Sequence, residues 1–326
     1  MKQFIYVKAT SADVALKAKK NNDSMFIAGG TNLIDLMKKG VYTPGKLVDI
    51  TALNFKEIVY SKGRTNIGAL AKNSQVAEHK MILEKHPLLA LALAAGASQQ
   101  IRHMATVGGN MLQRTRCGYF YNIDMPCNKR TENSGCGAYE GANRMHAIFG
   151  GSKSCIAVHP SDMCIALAAL DAEVLISNGK TVKKMLFTDF HRLPGNTPQL
   201  DNNLNAGEMI TAIEIPEHRF TKNVHYLKVR DRTSYAFALV SVAVALDLEG
   251  STIRDVRIAL GGVASKPWRL NNAEAFLKGK TANTTSFEQA AALAMNGAKA
   301  YGENDFKLQL TPNSIVEALK IAASKS

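Results

Sequence analysis

Four of the five cysteines lie between residues 117 and 155, in a stretch that any fold of this chain must accommodate. Their spacing is C-x9-C-x8-C-x18-C, and frequent glycines leave the stretch without helical or strand periodicity. A segment of about 40 residues without regular structure is long for a loop of a compact domain. We therefore expect a bound metal centre to order it, with four cysteines as ligands: Cys117, Cys127, Cys136 and Cys155.

Spacing alone leaves three readings of these cysteines open. Zinc binds four thiolates in a closed tetrahedral site, but zinc modules usually contain a C-x2-4-C pair, and this stretch has none. An iron-sulfur cubane is also held by four thiolates and accepts wide spacing. Two disulfides would need an oxidising compartment. The fifth cysteine, Cys164, stands in an apolar helical pattern over 162–170 and is predicted to be a core residue.

Two Gly-Gly turns are the second notable pattern. The first, Ala28-Gly-Gly-Thr-Asn32, lies between a strand signal and a helix signal, where backbone N–H groups can hold a phosphate. The second, Ala105-Thr-Val-Gly-Gly-Asn110, has similar neighbours. Neither fits G-x-G-x-x-G, which disfavours a Rossmann fold. Each could be a plain tight turn, but the pair suggests two loops that converge on one diphosphate.

The length of 326 residues predicts more than one packed unit, because a single core usually stops growing below that size. Residues 1–57 alternate strand and helix signals, and residues 58–218 mix short strands with helices and contain the cysteine stretch. Residues 219–326 begin with strands and end with helices predicted over 272–278, 287–299 and 312–323. This order predicts an α+β protein with a separate C-terminal subdomain.

Composition excludes two classes of partner. The longest apolar run, 88–97, is about half the length that crosses a bilayer, so we expect no membrane insertion. The net charge of +13 is spread along the chain without a basic block, so we expect no nucleic acid and a basic surface suited to an anionic cofactor or an acidic partner. The first residues, MKQFIYVKATS, lack the apolar segment of a secretion signal.

Taken together, these motifs resemble the FAD-binding medium subunit of the xanthine dehydrogenase (molybdenum hydroxylase) family. The likeness covers almost the whole chain and rests on Phe26-Ile-Ala-Gly-Gly-Thr-Asn-Leu33, residues 105–110, His159-Pro-Ser-Asp162, residues 226–230 and residues 235–246, in the order of the family. The cysteine loop at 113–156 is similar to the insertion that carries a [4Fe-4S] cluster in the flavin subunits of periplasmic aldehyde oxidoreductases. The resemblance therefore implies FAD and one [4Fe-4S] cluster on the four cysteines.

The same resemblance implies a set of cofactor-binding residues. Residues 26 to 33 match the pyrophosphate loop, and Thr106, Gly109 and Asn110 match the second flavin-binding loop. Ser161 and Asp162 match a site near the ribityl chain, and Lys228 matches a lysine near the flavin ring. The alternatives are that Asp162 is a helix N-cap partner and that Lys228 is a solvated strand residue. The implied set is Phe26, Ile27, Ala28, Gly29, Gly30, Thr31, Asn32, Leu33, Thr106, Gly109, Asn110, Ser161, Asp162, Ile210 and Lys228.

The family fold would be a two-subdomain FAD-binding module of the vanillyl-alcohol oxidase (PCMH) type, at 1–57 and 58–218, with a C-terminal α+β domain of the CO dehydrogenase flavoprotein type at 219–326. The resemblance implies a heterotrimer in which a large molybdenum-pterin subunit oxidises the substrate, an aldehyde. A small subunit with two [2Fe-2S] clusters would pass the electrons to this chain, which would have no catalytic residue of its own.

Two other functions fit parts of the sequence. A stand-alone flavin oxidoreductase of the same module, such as a UDP-sugar enolpyruvate reductase, would need acid and base residues that no His or Glu constellation here supplies. A zinc-stapled binding scaffold would carry no flavin. A cluster is assembled in a reducing cytosol. The resemblance implies that the folded complex is then exported with a signal-bearing partner, so we expect a periplasmic location, and a cytoplasmic location otherwise.

Overall fold

A small parallel sheet opens the chain in the computed structural model, which describes residues 1–19 and 23–325. Its strands are β1 (Ile5–Lys8), β2 (Ser24–Ile27) and β3 (Lys46–Asp49), in the order β1-β3-β2, with helices α1 (Ala12–Ala18) and α2 (Leu33–Lys38) between them. Ser11 begins α1, because its hydroxyl oxygen accepts a hydrogen bond from the N–H of Val14 at 3.2 Å. The buried Val48 of β3 lies at the centre of this unit.

The second sheet is antiparallel and has the order β4-β5-β8-β6-β7. Its central strand buries Ile213 between Ile67 and Val174 of its two neighbours. A long insertion, residues 69–172, separates two of the strands along the chain. The strands are β4 (Ile58–Ser61), β5 (Arg64–Gly68), β6 (Glu173–Ser177), β7 (Val182–Leu186) and β8 (Met209–Pro216).

Short helices fill this insertion. Two of them, α5 and α10, are largely buried because their sequences are apolar on all sides; Pro87 suits the first turn of α5. The helices are α3 (Asn73–Glu78), α4 (Lys80–Lys85), α5 (Pro87–Ala95), α6 (Gln99–Met104), α7 (Val107–Met111), α8 (Gly118–Tyr121), α9 (Gly137–Glu140) and α10 (Asp162–Ala169), and α11 (Phe187–Phe190) follows β7.

The C-terminal part begins with an antiparallel sheet in the order β12-β11-β10-β9 and ends in helices. The strands are β9 (Val224–Val229), β10 (Val240–Glu249), β11 (Thr252–Gly261) and β12 (Trp268–Arg269), and the helices are α12 (Asn271–Leu277), α13 (Thr284–Ala294) and α14 (Lys307–Ala323). Across residues 1–19 and 23–325, every helix is too short or too polar to span a lipid bilayer.

Strand β10 joins the two halves of the molecule, because both of its faces are buried. Val242 and Val244 pack with the C-terminal helices, whereas Ala243 and Ala245 belong to the core that contains α5 and α10. Successive side chains of a strand point to opposite faces, so a fully buried strand reads as an unbroken apolar run. This packing places β9 beside α5 and α10, where the site described next is formed.

Candidate functional site

The loop between β2 and α2 approaches the segment before α7 so closely that only glycine fits. A Cβ on Gly29 would lie 2.1 Å from the carbonyl oxygen of Met104, and Gly30 has φ +70°. Glycine alone adopts such a backbone without a side-chain clash. The two Gly-Gly loops are therefore in direct contact, as the sequence pattern suggested.

The second loop is fixed by its own hydrogen bonds. Thr106 begins α7, and its Oγ1 accepts a hydrogen bond from the N–H of Gly109 at 3.2 Å. The N–H of Gly108 donates to the carbonyl of Ala69 at 2.8 Å. These bonds hold the turn against the end of β5.

Two adjoining cavities, which we call the cofactor cleft, lie along these loops. The first has a volume of about 740 Å³ and is lined by all of residues 26 to 33 and by Thr106, Gly109 and Ile210. The second has a volume of about 630 Å³ and is lined by Asn110, Ser161, Asp162 and Lys228. Thr31, Asn32 and Gly109 line both cavities, so the two cavities meet at these residues. Every residue that the sequence implicates in cofactor binding lines this cleft.

A buried ion pair forms one wall of the second cavity. Lys228 Nζ lies 2.8 Å from Asp162 Oδ2 and donates to the carbonyl of Ala95 at 3.0 Å. The hydroxyl of Tyr226 donates to Asp162 Oδ1 at 2.7 Å. Burial, reinforced by the neighbouring carboxylate, raises the pKa of Tyr226 well above its usual value, so it stays a donor. Both Asp162 oxygens are thus satisfied by this chain, and the pair ties β9 to α5 and α10.

Ser161 and Asn110 both line the second cavity and are hydrogen-bonded to each other. The Ser161 hydroxyl donates to Asn110 Oδ1 at 2.7 Å and also begins α10 by accepting from the N–H of Cys164 at 3.1 Å. Ser161 therefore has the helix-capping role that the sequence offered as an alternative for its neighbour Asp162. Position 161 is buried, so its polar bonds stabilise the cleft wall.

Two asparagines that line the second cavity each carry an unpartnered amide atom among the described residues. Asn32 Oδ1 accepts from the N–H of Arg114 at 2.9 Å, but its Nδ2 is buried without a partner in the described part of the chain, as is Asn73 Oδ1. A buried polar atom without a partner is costly, so these atoms suit a ligand rich in donors and acceptors. The residues present therefore fit the polar chain of the FAD that the sequence implies.

Sequence reasoning missed several residues of the cleft. The segment before β8 lines the first cavity with Asn202, Leu204 and Glu208, although its sequence offers only turn-forming residues. Arg102 lines the second cavity and donates to the carbonyl of Gly96 at 2.8 Å. No motif marks these positions, because they reach the cleft through tertiary packing.

The four cysteines of the long loop, which we call the cysteine group, line one small cavity of about 10 Å³. They are Cys117, Cys127, Cys136 and Cys155, and none forms a disulfide in the described chain. Cys127 and Cys136 face each other in an isolated antiparallel bridge. The two disulfides considered from the sequence are therefore absent among the described residues.

Two thiols of the cysteine group have a raised pKa, and each lies near a nitrogen atom of the chain. Burial raises the pKa of Cys117 to about 12 and that of Cys155 to about 11. His146 Nε2 lies 3.1 Å from Cys117 Sγ, and the N–H of Ala157 lies 3.4 Å from Cys155 Sγ. Without a bound metal the thiols of Cys117 and Cys155 stay protonated at neutral pH, so metal binding would release their protons.

A third cavity, of about 580 Å³, lies between the cofactor cleft and the cysteine group. Ser161 and Asp162 line both this cavity and the cleft. Cys117 and His146 line both this cavity and the small cavity of the cysteine group. The cleft and the cysteine group are thus neighbouring parts of one site.

Cys164 has polar neighbours that its sequence context did not suggest. Its Sγ and one ring nitrogen each of His159 and His191 lie within 4.8 Å of one another, and all three residues are buried. Burial holds the pKa of His191 at about 4 and that of His159 well below the usual histidine value. Cys164 is buried as predicted, but beside two neutral imidazoles.

Comparison with known families identifies this arrangement. The family model described as FAD binding domain in molybdopterin dehydrogenase matches residues 2–218, and the model for the CO dehydrogenase flavoprotein C-terminal domain matches residues 225–322. The chain belongs to the FAD-binding medium subunits of the molybdenum hydroxylase family. The predicted family and the predicted FAD cofactor are confirmed, and the chain is an oxidoreductase subunit of this family.

Individual relatives agree with this assignment. The aldehyde oxidoreductase FAD-binding subunit PaoB of Escherichia coli K12 is 44% identical over 332 residues, which cover 100% of both chains. The glyceraldehyde dehydrogenase medium chain of Sulfolobus acidocaldarius is 30% identical over 285 residues, covering 86% of this chain and 83% of the relative.

Solved structures confirm the predicted fold class. Reconstituted CO dehydrogenase from Oligotropha carboxidovorans contains a chain that superposes with a TM-score of 0.78 at 21% identity, covering 99% of both chains. At that identity the likeness speaks for the fold alone. The molybdenum hydroxylase medium subunit therefore has the α+β architecture that the sequence indicated.

Proposed function

We propose that this medium subunit carries one [4Fe-4S] cluster on the cysteine group in addition to FAD in the cofactor cleft, and that it relays electrons between partner clusters and an external acceptor. The observation that carries the cluster proposal is that four thiols from distant points of one loop line a single cavity and form no disulfide in the described chain. A cubane is held by four thiolates, which fits this ligand set.

Zinc is the competing occupant of the cysteine group, because four thiolates also hold a structural zinc ion. The position of the group favours a redox centre. It adjoins the third cavity, which shares Ser161 and Asp162 with the cofactor cleft, so only that cavity would separate a cluster from the flavin. A purely structural ion would need no such neighbour.

The relay reading follows from what FAD supplies when bound: it accepts two electrons and gives them up singly or together. The protein provides the walls of the cleft, the buried pair of Asp162 and Lys228, and a basic net charge of +13. We assign no catalytic residue to this chain. The substrate would be oxidised elsewhere, on a molybdenum pterin of a large subunit.

The proposed assembly is a heterotrimer with that large subunit and a small subunit that holds two [2Fe-2S] clusters. Aldehydes are the proposed substrate class, which is supported by the full-length likeness to a subunit named for aldehyde oxidoreductase. We propose a periplasmic location through co-export with a signal-bearing partner, with a cytoplasmic location as the alternative.

The cluster proposal is tested on the anaerobically purified chain by an absorption spectrum together with assays of flavin, iron, sulfide and zinc. We expect one FAD, about four irons and about four sulfides per chain. Cys136→Ser should lose the iron and keep the flavin, whereas Cys164→Ser, which alters a buried cysteine outside the group, should keep both. Zinc in place of iron, or iron that survives Cys136→Ser, would contradict the proposed cluster.

A further inference from the structure

We propose that His146 tunes the reduction potential of the cluster by donating a hydrogen bond from Nε2 to the sulfur of Cys117. This inference rests on the proposed [4Fe-4S] cluster and extends it to a residue that is not a ligand. His146 stands in the cysteine loop, and its imidazole lines the small cavity together with the four cysteines.

Once Cys117 is a cluster ligand, the contact fixes which ring nitrogen of His146 carries the proton. His146 Nε2 and Cys117 Sγ are 3.1 Å apart. A metal-bound thiolate has no hydrogen and can only accept, so Nε2 must be the donor. The other ring nitrogen, Nδ1, is buried and has no partner in the described part of the chain. The one polar contact of the imidazole that the structure records is therefore directed at the cysteine group.

The C-terminal domain holds this histidine in place. The carbonyl of His146 accepts from Lys307 Nζ at 2.9 Å and from Asn304 Nδ2 at 3.3 Å, and its N–H donates to the carbonyl of Asn143 at 2.9 Å. Lys307 and Asn304 are both fully buried. Lys307 Nζ also donates to the carbonyl of Gly262 at 2.8 Å, which links β11 to the cysteine loop.

This arrangement explains a buried lysine that the cofactor cleft does not use. A lysine is rarely buried without a charged partner, and Lys307 bonds two backbone carbonyls instead. Removing a charged group from water is costly unless hydrogen bonds replace the lost hydration. The hydrogen bond from Lys307 holds the backbone of His146 where its imidazole can reach Cys117, which gives a reason for the cost of burying this lysine. His146 is thus a positioning and tuning residue.

The direction of the effect follows from charge. A cluster becomes more negative when it is reduced, and a hydrogen bond to a ligand sulfur stabilises the more negative state. Loss of the donor should therefore lower the reduction potential and make the cluster harder to reduce. One hydrogen bond of this kind corresponds to a roughly threefold to tenfold change in the reduction equilibrium constant.

The test is a redox titration of the purified full chain, followed by electron paramagnetic resonance for the cluster and by absorbance for the flavin. His146→Leu should keep the iron content and lower the cluster potential, with the flavin potential unchanged. His146→Phe, a second variant without a donor, should act in the same direction if the leucine variant folds poorly. His146→Gln keeps an N–H group and should restore part of the wild-type potential.

The control is His225→Leu, which removes a partly buried histidine of β9 that lines none of these cavities. It should leave both potentials unchanged. Iron-loaded Leu and Phe variants with the wild-type cluster potential would overturn the tuning role while leaving the cluster proposal intact. A wild-type chain without iron would overturn the cluster proposal and the tuning role together, so the two failures are distinguishable.

Discussion

At the scale of single residues, Gly29 is the tightest constraint on the cofactor cleft. An alanine there would bring Cβ to 2.1 Å from Met104 O, and the contact could be relieved only by moving the two Gly-Gly loops apart. Overpacking of this kind costs about 1–3 kcal/mol. We expect Gly29→Ala to bind FAD at least several-fold more weakly, measured as flavin retained after gel filtration and as Kd by fluorescence titration of the flavin-free chain.

The matched control for this prediction is Gly118→Ala. A Cβ at that position would meet nothing within 4 Å, and Gly118 has no positive φ. This variant should therefore retain flavin like the wild type. Equal flavin retention by Gly29→Ala would mean that the close approach of the two loops is not needed for FAD binding.

Single residues also mark the limit of sequence reasoning. The Gly-Gly loops could be predicted because glycine, Thr and Asn leave a local signature between a strand and a helix. The environment of Lys228 could not be predicted, because Asp162 and Ala95, its two partners, are distant in sequence. The alternative that Lys228 is a solvated strand residue is wrong, since its side chain is 5% exposed.

At the scale of elements, α14 departs from the sequence pattern. The pattern predicted a helix that starts at Pro312, since proline favours the first helical turn, but α14 starts at Lys307. Lys307 is held by a hydrogen bond to the distant carbonyl of His146 and follows a turn, so the helix starts at this residue. Pro312 therefore lies inside α14. The helix predicted over 287–299 likewise runs from Thr284 to Ala294.

An interior proline removes one backbone hydrogen bond from a helix. Pro312 is partly buried and has no N–H to offer the carbonyl of Leu308. We expect Pro312→Ala to raise the free energy of unfolding by about 1–3 kcal/mol. Urea unfolding followed by circular dichroism measures this. Asn313→Ala, at the exposed next position, is the control for helix propensity; it also removes an exposed hydrogen bond from Gln309 Nε2 to Asn313 Oδ1 at 3.2 Å, and it should change stability less. An equal gain in both variants would contradict the missing-bond explanation.

At the scale of the whole molecule, the sequence predicted the order of the parts better than their contacts. Strand and helix signals predicted a unit of mixed strands and helices at each end of the chain. They could do so because the alternation of apolar and polar residues and the apolar runs are local properties of the sequence. The packing of β10 between two cores, through Val242 and Ala243, depends on both faces of one strand. The bond from Lys307 to His146 depends on contacts across the chain, which no local pattern encodes.

Buried neutral histidines make the stability of the whole chain depend on pH. Burial lowers the pKa of His86 to about 3 and of His218 to about 4. His86 Nδ1 and His218 Nε2 are 2.8 Å apart, and His86 Nε2 is 2.7 Å from Thr65 Oγ1. The unfolded chain binds protons near pH 6.5, whereas the folded chain does so only near pH 3 to 4. This contribution to stability is therefore complete above pH 6.5 and is lost as the pH falls towards 4.

We expect the free energy of unfolding to fall by about 1.4 kcal/mol per pH unit for each such histidine between pH 6 and 4.5. His86→Phe should reduce this slope, although it lowers stability at every pH by removing the hydrogen bonds that His86 makes with Thr65 and His218. His103→Gln changes an exposed histidine and should keep the wild-type slope. His86 precedes α5 and does not line the cavity of the cysteine group. Loss of a cluster in acid would therefore affect the wild type, His86→Phe and His103→Gln alike and would cancel when their slopes are compared. Parallel slopes for His86→Phe and the wild type would mean that the buried pair takes up no proton on unfolding.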